Sequence, residues 1–131
     1  MGTWSIPIDR LIAKANTDAE TFIRKVTIDL FGRVIARSPV DTGRFRANWQ
    51  CTLDAAATTP TASTDKDGLS TTDTMTDAVM AFPVGRVSYL SNALDYAYRL
   101  EYDGWSKQAP MGMIRLTARE FDSAVQGAVT K

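Results

Sequence analysis

The feature that most constrains the fold is a long amphipathic segment from residue 20 to residue 37. Its apolar side chains recur at three- and four-residue steps, which is typical of a helix with one buried face. A capping box that starts at Thr17 predicts where this helix begins. Pro39 predicts its end, because the residue before a proline is disfavoured in helical torsions. The apolar positions are Phe22, Ile23, Val26, Leu30, Val34 and Ile35.

A second pattern, the alternation of polar and apolar residues, covers Arg44–Leu53. A period of two residues indicates a strand with one apolar face. The segment that follows, residues 54–73, is rich in alanine, threonine, serine and aspartate and has almost nothing to bury. We therefore expect a flexible, exposed insertion there, since loops of this length in a compact domain are commonly functional or mobile.

The patterns after the insertion are shorter. Asp73 can cap a helix that stops before Pro83, and the alternation in Gly85–Leu90 predicts a second strand. Ser91-Asn92 is a turn signal. Leu94–Tyr102 has tyrosines at alternate positions, which suits a strand, but it also suits a helix, and periodicity leaves both open.

The predicted fold is one α+β domain over residues 1–131. The long N-terminal helix and a C-terminal helix, whose apolar positions run from Ile114 to Ala128, are expected to pack on a small, mainly antiparallel sheet. Residues 1–16 are apolar but interrupted by Pro7, and are predicted to form an N-terminal arm.

Composition removes several classes of function. The 131 residues suit a single core, and fifteen lysines and arginines balance fifteen aspartates and glutamates, so there is no general attraction to nucleic acid or anionic membrane. Histidine is absent, which removes the commonest general base and zinc ligand. The single Cys51, the lack of a secretion signal and the shortness of the apolar runs predict synthesis in a reducing cytosol, with no membrane span.

Asp41-Thr42-Gly43 is the three-residue signature of an aspartic protease. Such an enzyme needs two aspartates that share one proton, so this chain would have to dimerise. Arg44 directly after the motif would favour ionisation of both carboxylates and disrupt the shared proton. The alternative is a structural turn, in which Pro39 presets the bend, Asp41 bonds its own downstream backbone and Gly43 takes a positive φ. We prefer the turn, and predict no catalytic residue, no metal ligand and no cofactor.

Two sets of residues could form an interaction surface. Arg44 and Arg46 share a polar strand face in the predicted strand, which suits solvent, an acidic neighbour or phosphates. The tyrosines near residue 100, together with Trp105, suit either the core or an interface, because tyrosine, tryptophan and arginine are enriched at interfaces.

Several short blocks, taken in order, resemble one family. Together they are similar to the tail-completion or neck proteins of long-tailed bacteriophages, which are the lambdoid minor tail protein Z-like and related head-tail joining components. The resemblance runs from about Phe22 to Phe121. The blocks are Pro39-Val40-Asp41-Thr42-Gly43-Arg44, Asn48-Trp49, Tyr89-Leu90-Ser91-Asn92, Asp95-Tyr96-Ala97, Leu100-Glu101-Tyr102 with Gly104, and Ala109-Pro110-Met111-Gly112-Met113.

This resemblance implies a structural virion protein without catalytic residues. Copies would form a ring, expected to be a hexamer, that completes the head-proximal end of the tail and joins it to the capsid connector. The implied partners are further copies, head-closure and connector proteins, and tail-terminator and tail-tube proteins. Genomic DNA would pass through the lumen without sequence-specific binding, which suits the zero net charge. The interface candidates are Arg44, Arg46, Trp49, Tyr98, Glu101, Tyr102 and Trp105.

Three alternatives stay open at this point. The chain could be the tail-terminator ring, which is also a small α+β subunit. It could be a dimeric aspartic protease that uses Asp41. It could also be a soluble binding module with an aromatic groove, which would remain monomeric.

Overall fold

The computed structural model describes residues 19–83 and 85–130. Helices and an antiparallel pair of strands make up these ranges, and the predicted α+β class is confirmed. The predicted arm, residues 1–16, lies outside the described residues. In chain order the elements are α1 (Ala19–Arg37), α2 (Arg44–Ala47), β1 (Trp49–Leu53), α3 (Leu69–Ala81), β2 (Ser88–Asn92), α4 (Ala97–Tyr102), α5 (Ile114–Ala118) and α6 (Phe121–Thr130).

The long helix α1 forms where the amphipathic pattern predicts it. Thr17, predicted to cap it, lies outside the described residues. The helix ends at Arg37, where the Ser38 hydroxyl donates a hydrogen bond to the Val34 carbonyl (3.0 Å), and Pro39 prevents a further turn. The side chains that α1 buries are Phe22, Val26, Val34 and Ile35.

The predicted strand Arg44–Leu53 is wrong in its first half, where Arg44–Ala47 forms the helical turn α2. Gly43 adopts a left-handed conformation (φ 89°) before this turn, and its carbonyl accepts a hydrogen bond from the Ala47 amide (3.0 Å). A single helical turn can bury Phe45 between two less buried arginines just as a strand can. Periodicity over four residues therefore does not separate the two structures.

The strands β1 and β2 form an antiparallel pair in which Trp49 lies opposite Asn92 and Leu53 opposite Ser88. The predicted second strand, Gly85–Leu90, is therefore displaced toward the C-terminus. The predicted turn at Ser91-Asn92 is wrong, because both residues pair with β1.

The insertion is shorter than predicted. Residues 69–73 belong to α3, because the Asp65 carboxylate accepts hydrogen bonds from the amide and the hydroxyl of Thr71 (2.7 and 2.6 Å) and so caps the helix early. The rest of the insertion is hydrogen-bonded to the domain through Thr61. The Thr61 amide donates to Oδ1 of Asn48 (2.7 Å), and Nδ2 of Asn48 donates to the Thr61 carbonyl (3.1 Å). The predicted flexibility of this segment stays a prediction.

The main core lies between α1, α3, the strands and the segment that includes α4. Residues 97–102 of the ambiguous segment are helical, and Leu94 and Leu100 point into this core. Its buried members are Val34, Ile35, Phe45, Trp49, Met75, Val79, Leu94, Leu100, Ala109 and Met113.

The predicted single terminal helix is two helices, α5 and α6, separated at Arg119-Glu120. The Glu120 carboxylate accepts hydrogen bonds from Arg33 (2.9 Å) and Arg37 (2.6 Å), and so holds this junction against α1. The C-terminal helix packs mainly on α1. The second core cluster, formed at that contact, consists of Phe22, Val26, Phe121, Val125 and Ala128.

Candidate interaction surface

The Asp41-Thr42-Gly43 segment forms a turn, but not with the predicted side-chain bond. Asp41 is exposed, and within the described chain its carboxylate has no hydrogen-bond partner. The Thr42 hydroxyl instead accepts a hydrogen bond from the Arg44 amide (3.2 Å). Gly43 is required by space as well as by torsion, since an added Cβ would lie 2.7 Å from the backbone nitrogen of Lys66.

A groove of about 380 Å³ separates this turn from the aromatic segment around Trp105. Gln108 closes one end of it: its carboxamide accepts a hydrogen bond from the Val40 amide (2.9 Å) and donates one to the Val40 carbonyl (3.0 Å). Among the described residues that line the groove, Asp41 is the only carboxylate.

Two predicted interface residues are part of the interior, which corrects the sequence-based assignment. Trp49 is only 6% exposed; it packs edge to face on Phe45 (5.8 Å) and donates a hydrogen bond to the Ser38 hydroxyl (2.6 Å). Glu101 is only 5% exposed. Neither side chain can reach a partner without unfolding part of the domain.

Glu101 organises the segment that leads into α5. Its carboxylate accepts hydrogen bonds from the amides of Met113, Ile114 and Arg115 at 2.9–3.0 Å, and from the Arg115 guanidinium (3.1 Å). Burial alone would raise the pKa of Glu101, but these hydrogen bonds outweigh it and lower the pKa below its ordinary value. An added Cβ on Gly112 would lie 2.5 Å from the same carboxylate, so this position has room only for glycine.

The two predicted arginines have different environments. Arg46 donates to the carbonyls of Ala36 (3.0 Å), Ser38 (2.9 Å) and Lys66 (2.6 Å), and so ties the end of α1 to the insertion. Its role is structural. Arg44 is exposed, with one hydrogen bond to a carbonyl of the insertion (3.3 Å), and remains available to a partner.

The remaining predicted residues form an exposed surface around α4. Tyr98, Tyr102 and Trp105 are 65%, 54% and 58% exposed, and the two tyrosine rings contact each other at a tilt of 37°, with their centroids 4.8 Å apart. Arg115 lies over Tyr102 (4.9 Å) and Arg99 over Trp105 (5.5 Å), both at cation–π distance. We call these five residues the aromatic surface.

Sequence reasoning missed the two arginines of this surface. A cation within a segment rich in tyrosine and tryptophan is a signal that could have identified Arg99, which lies next to Tyr98 in the chain. The position of Arg115 depends on Glu101, which holds it through contacts between distant parts of the chain. Met111 and Ile114, from the same segment, are also largely exposed.

No group of histidine, cysteine, aspartate and glutamate with the geometry of a metal site occurs in residues 19–83 and 85–130. Over the same ranges, none of the helices has the length and apolar character that crossing a bilayer requires. Comparison of the chain with protein-family models, with curated proteins and with solved structures gave no match.

Proposed function

We propose that this chain is a structural subunit of the virion of a long-tailed bacteriophage, where it completes the head-proximal end of the tail and joins the tail to the capsid connector as an oligomeric ring. The aromatic surface carries the proposal. Three large rings and two arginines face outward on a domain whose core is already buried. An exposed patch of this composition is typical of a protein–protein contact.

The size of this surface suits the centre of an interface. Each large aromatic side chain can bury about 150–250 Å². A stable interface buries about 800 Å² on each partner, and the three residues, which are 54–65% exposed, would supply part of one side. Met111 and Ile114 extend the apolar area.

The placement in a phage particle is supported by the blocks that resemble neck proteins. Two of them meet in the fold: Glu101 binds the amide of Met113, and Gly112 lies against the Glu101 carboxylate. Blocks that are separate in sequence thus form one part of the domain.

The proposed partners are further copies of the chain, head-closure and connector proteins on one side of the ring, and tail-terminator and tail-tube proteins on the other. DNA would pass through the lumen without sequence-specific binding. A net charge of zero suits that passage, because an excess of cations would hold the phosphate backbone. The protein would be made in the host bacterial cytoplasm and end in the neck of the virion.

The rival enzymatic function is a dimeric aspartic protease. Asp41 does line a groove, which is the one observation in its favour. The proposed structural role predicts that Asp41→Asn leaves particle assembly nearly intact and that purified protein cleaves no peptide. Cleavage by the wild type that Asp41→Asn abolishes would establish the protease instead.

The decisive experiment is electron microscopy of particles produced without this gene. We expect separate full heads and finished tails, and recovery of joined particles when the wild-type gene is supplied in trans. Overlong tail tubes would assign the chain to the tail-terminator ring. Normal joined particles would contradict both phage functions.

A matched pair of variants connects this experiment to the aromatic surface. Trp105→Ser removes an exposed ring from the surface, and Val87→Ser removes an exposed apolar side chain elsewhere. We expect Trp105→Ser to restore far fewer joined particles than Val87→Ser when both proteins are folded and equally abundant. Equal numbers of joined particles with the two variants would show that the aromatic surface is not needed for joining.

A further inference from the structure

The outer side of α3 carries exposed aspartates that take no part in holding the domain together. Leu69, Asp73, Asp77 and Met80 are exposed and fall within about 80° of arc, over about 16 Å of helix. In the described part of the chain, neither carboxylate has a hydrogen bond or an ion pair. We call these four residues the acidic face.

The aromatic surface has the complementary charge. Arg99 contacts the Trp105 ring but has no carboxylate partner among residues 19–83 and 85–130. No ion pair therefore occupies its guanidinium in the described part of the domain. The rings beside it offer apolar area to match the two apolar ends of the acidic face.

The two surfaces are built on separate elements. The inner side of α3 buries Thr71, Met75 and Val79, and the main neighbours of this helix are α1, α2 and β1. The aromatic surface is built on α4 and the segment after it. Within residues 19–83 and 85–130, no hydrogen bond, ion pair or ring contact joins the acidic face to the aromatic surface, so both are open to a second copy.

We propose that the aromatic surface of one copy docks on the acidic face of a second copy, in a head-to-tail contact. Arg99 would lie against Asp73 and Asp77, with the rings packed on Leu69 and Met80, whose sulfur suits an aromatic neighbour. This inference rests on the proposed function, because a ring is built by such heterologous contacts.

Charge explains why the contact is head-to-tail and not two-fold. Pairing two aromatic surfaces would bring one Arg99 toward another, and pairing two acidic faces would bring four carboxylates together. Like charges at an interface are strongly unfavourable. Only the mixed pairing matches opposite charges while it also buries apolar side chains on both sides.

The test uses two variants that each disable one surface. Asp77→Arg disables the acidic face, and the double variant Arg99→Ser with Trp105→Ser disables the aromatic surface. Sedimentation velocity over a concentration series should show that wild-type chains self-associate and that each variant does so at least about tenfold more weakly.

An equimolar mixture of the two variants distinguishes head-to-tail from two-fold pairing. Each mixed complex keeps one intact pair of surfaces, so we expect dimers of one copy of each variant and no larger species. Wild-type protein under the same conditions should form larger species than dimers. Only a head-to-tail contact predicts this difference.

Matched controls separate a surface effect from changes in charge or folding. Asp122→Arg makes the same charge change as Asp77→Arg at an exposed position of α6, and Val87→Ser removes an exposed apolar side chain outside both surfaces. Both should associate like wild type, and circular dichroism should show all variants folded.

Three results would overturn the contact: wild-type protein that stays monomeric at the highest concentration, variants that associate like wild type, or a mixture that contains only monomers. Failure of the proposed function looks different. In that case head-to-tail association would persist in purified protein, while particles made without the gene would still be joined.

Discussion

At the scale of single residues, Gly43 is constrained both by its backbone torsion and by the space around it. Its φ of 89° disfavours any side chain, and an added Cβ would collide with the backbone of Asp65 and Lys66. We predict that Gly43→Ala lowers the free energy of unfolding by about 2–4 kcal/mol in urea titrations.

Gly85 offers the matched control for that prediction. It also has a positive φ (100°), but an added Cβ there would meet nothing within 4 Å. Gly85→Ala should therefore cost only the torsional strain, about 1 kcal/mol. Equal losses for the two variants would mean that the insertion does not pack against Gly43.

Glu101 supports a second prediction at this scale. Glu101→Gln removes the negative charge and turns an amide group toward backbone amides that need acceptors, so we expect a loss of about 2–4 kcal/mol in the free energy of unfolding. Glu20→Gln is the control, because the contact of the Glu20 carboxylate within the described residues is a surface ion pair with Arg24 (2.7 Å), and the substitution should cost less than about 1 kcal/mol. A loss at Glu101 no larger than this would refute its central role.

At the scale of elements, α3 begins at a different residue, and has a different cap, from those that the sequence predicted. Sequence favoured Asp73 as the cap, whereas Asp65 bonds the amides of Gly68 and Thr71. Asp65→Ala should lower the free energy of unfolding by about 1–2 kcal/mol, and Asp73→Ala should change it by less than about 0.5 kcal/mol. Thermal and urea unfolding of both variants would check this. A larger loss for Asp73→Ala than for Asp65→Ala would show that Asp73 caps α3, as the sequence predicted.

At the scale of the whole molecule, three carboxylates couple stability to pH: Asp65, whose pKa is lowered by hydrogen bonds from Thr71 in spite of its desolvation, and the two glutamates Glu101 and Glu120. The guanidinium groups of Arg37 and Arg33 lower the pKa of Glu120, and hydrogen bonds lower that of Glu101 in spite of its burial, both below the ordinary value of 4.5. Because the folded chain has the lower pKa values, their stabilisation is complete above about pH 4.5 and is lost as pH falls through the folded values.

We therefore predict that the urea midpoint is constant from pH 7 to about pH 5 and then falls with acid. Glu101→Gln should have a lower midpoint at neutral pH and a shallower decline below pH 4.5, since one of the responsible groups no longer titrates. A wild-type midpoint that rises on acidification would contradict this assignment.

Much of the interaction surface could be predicted from residue type. Only the burial of each side chain in the fold distinguishes the candidates that are exposed from those that belong to the interior. Tyr98, Tyr102 and Trp105 were predicted as interface candidates and are exposed, whereas Trp49 and Glu101, predicted with them, are buried. Tryptophan and glutamate suit either environment. Which one each has depends on contacts with Ser38 and Met113, which are eleven and twelve residues away.

Periodicity and local torsional constraints are sufficient to predict α1, the break at Pro39 and the α+β class. Tertiary structure decided the helical turn at Arg44–Ala47, the early start of α3 and the course of the segment around α4. These features depend on hydrogen bonds and packing between distant parts of the chain, and a pattern of four to six residues is compatible with both a helix and a strand until those contacts form.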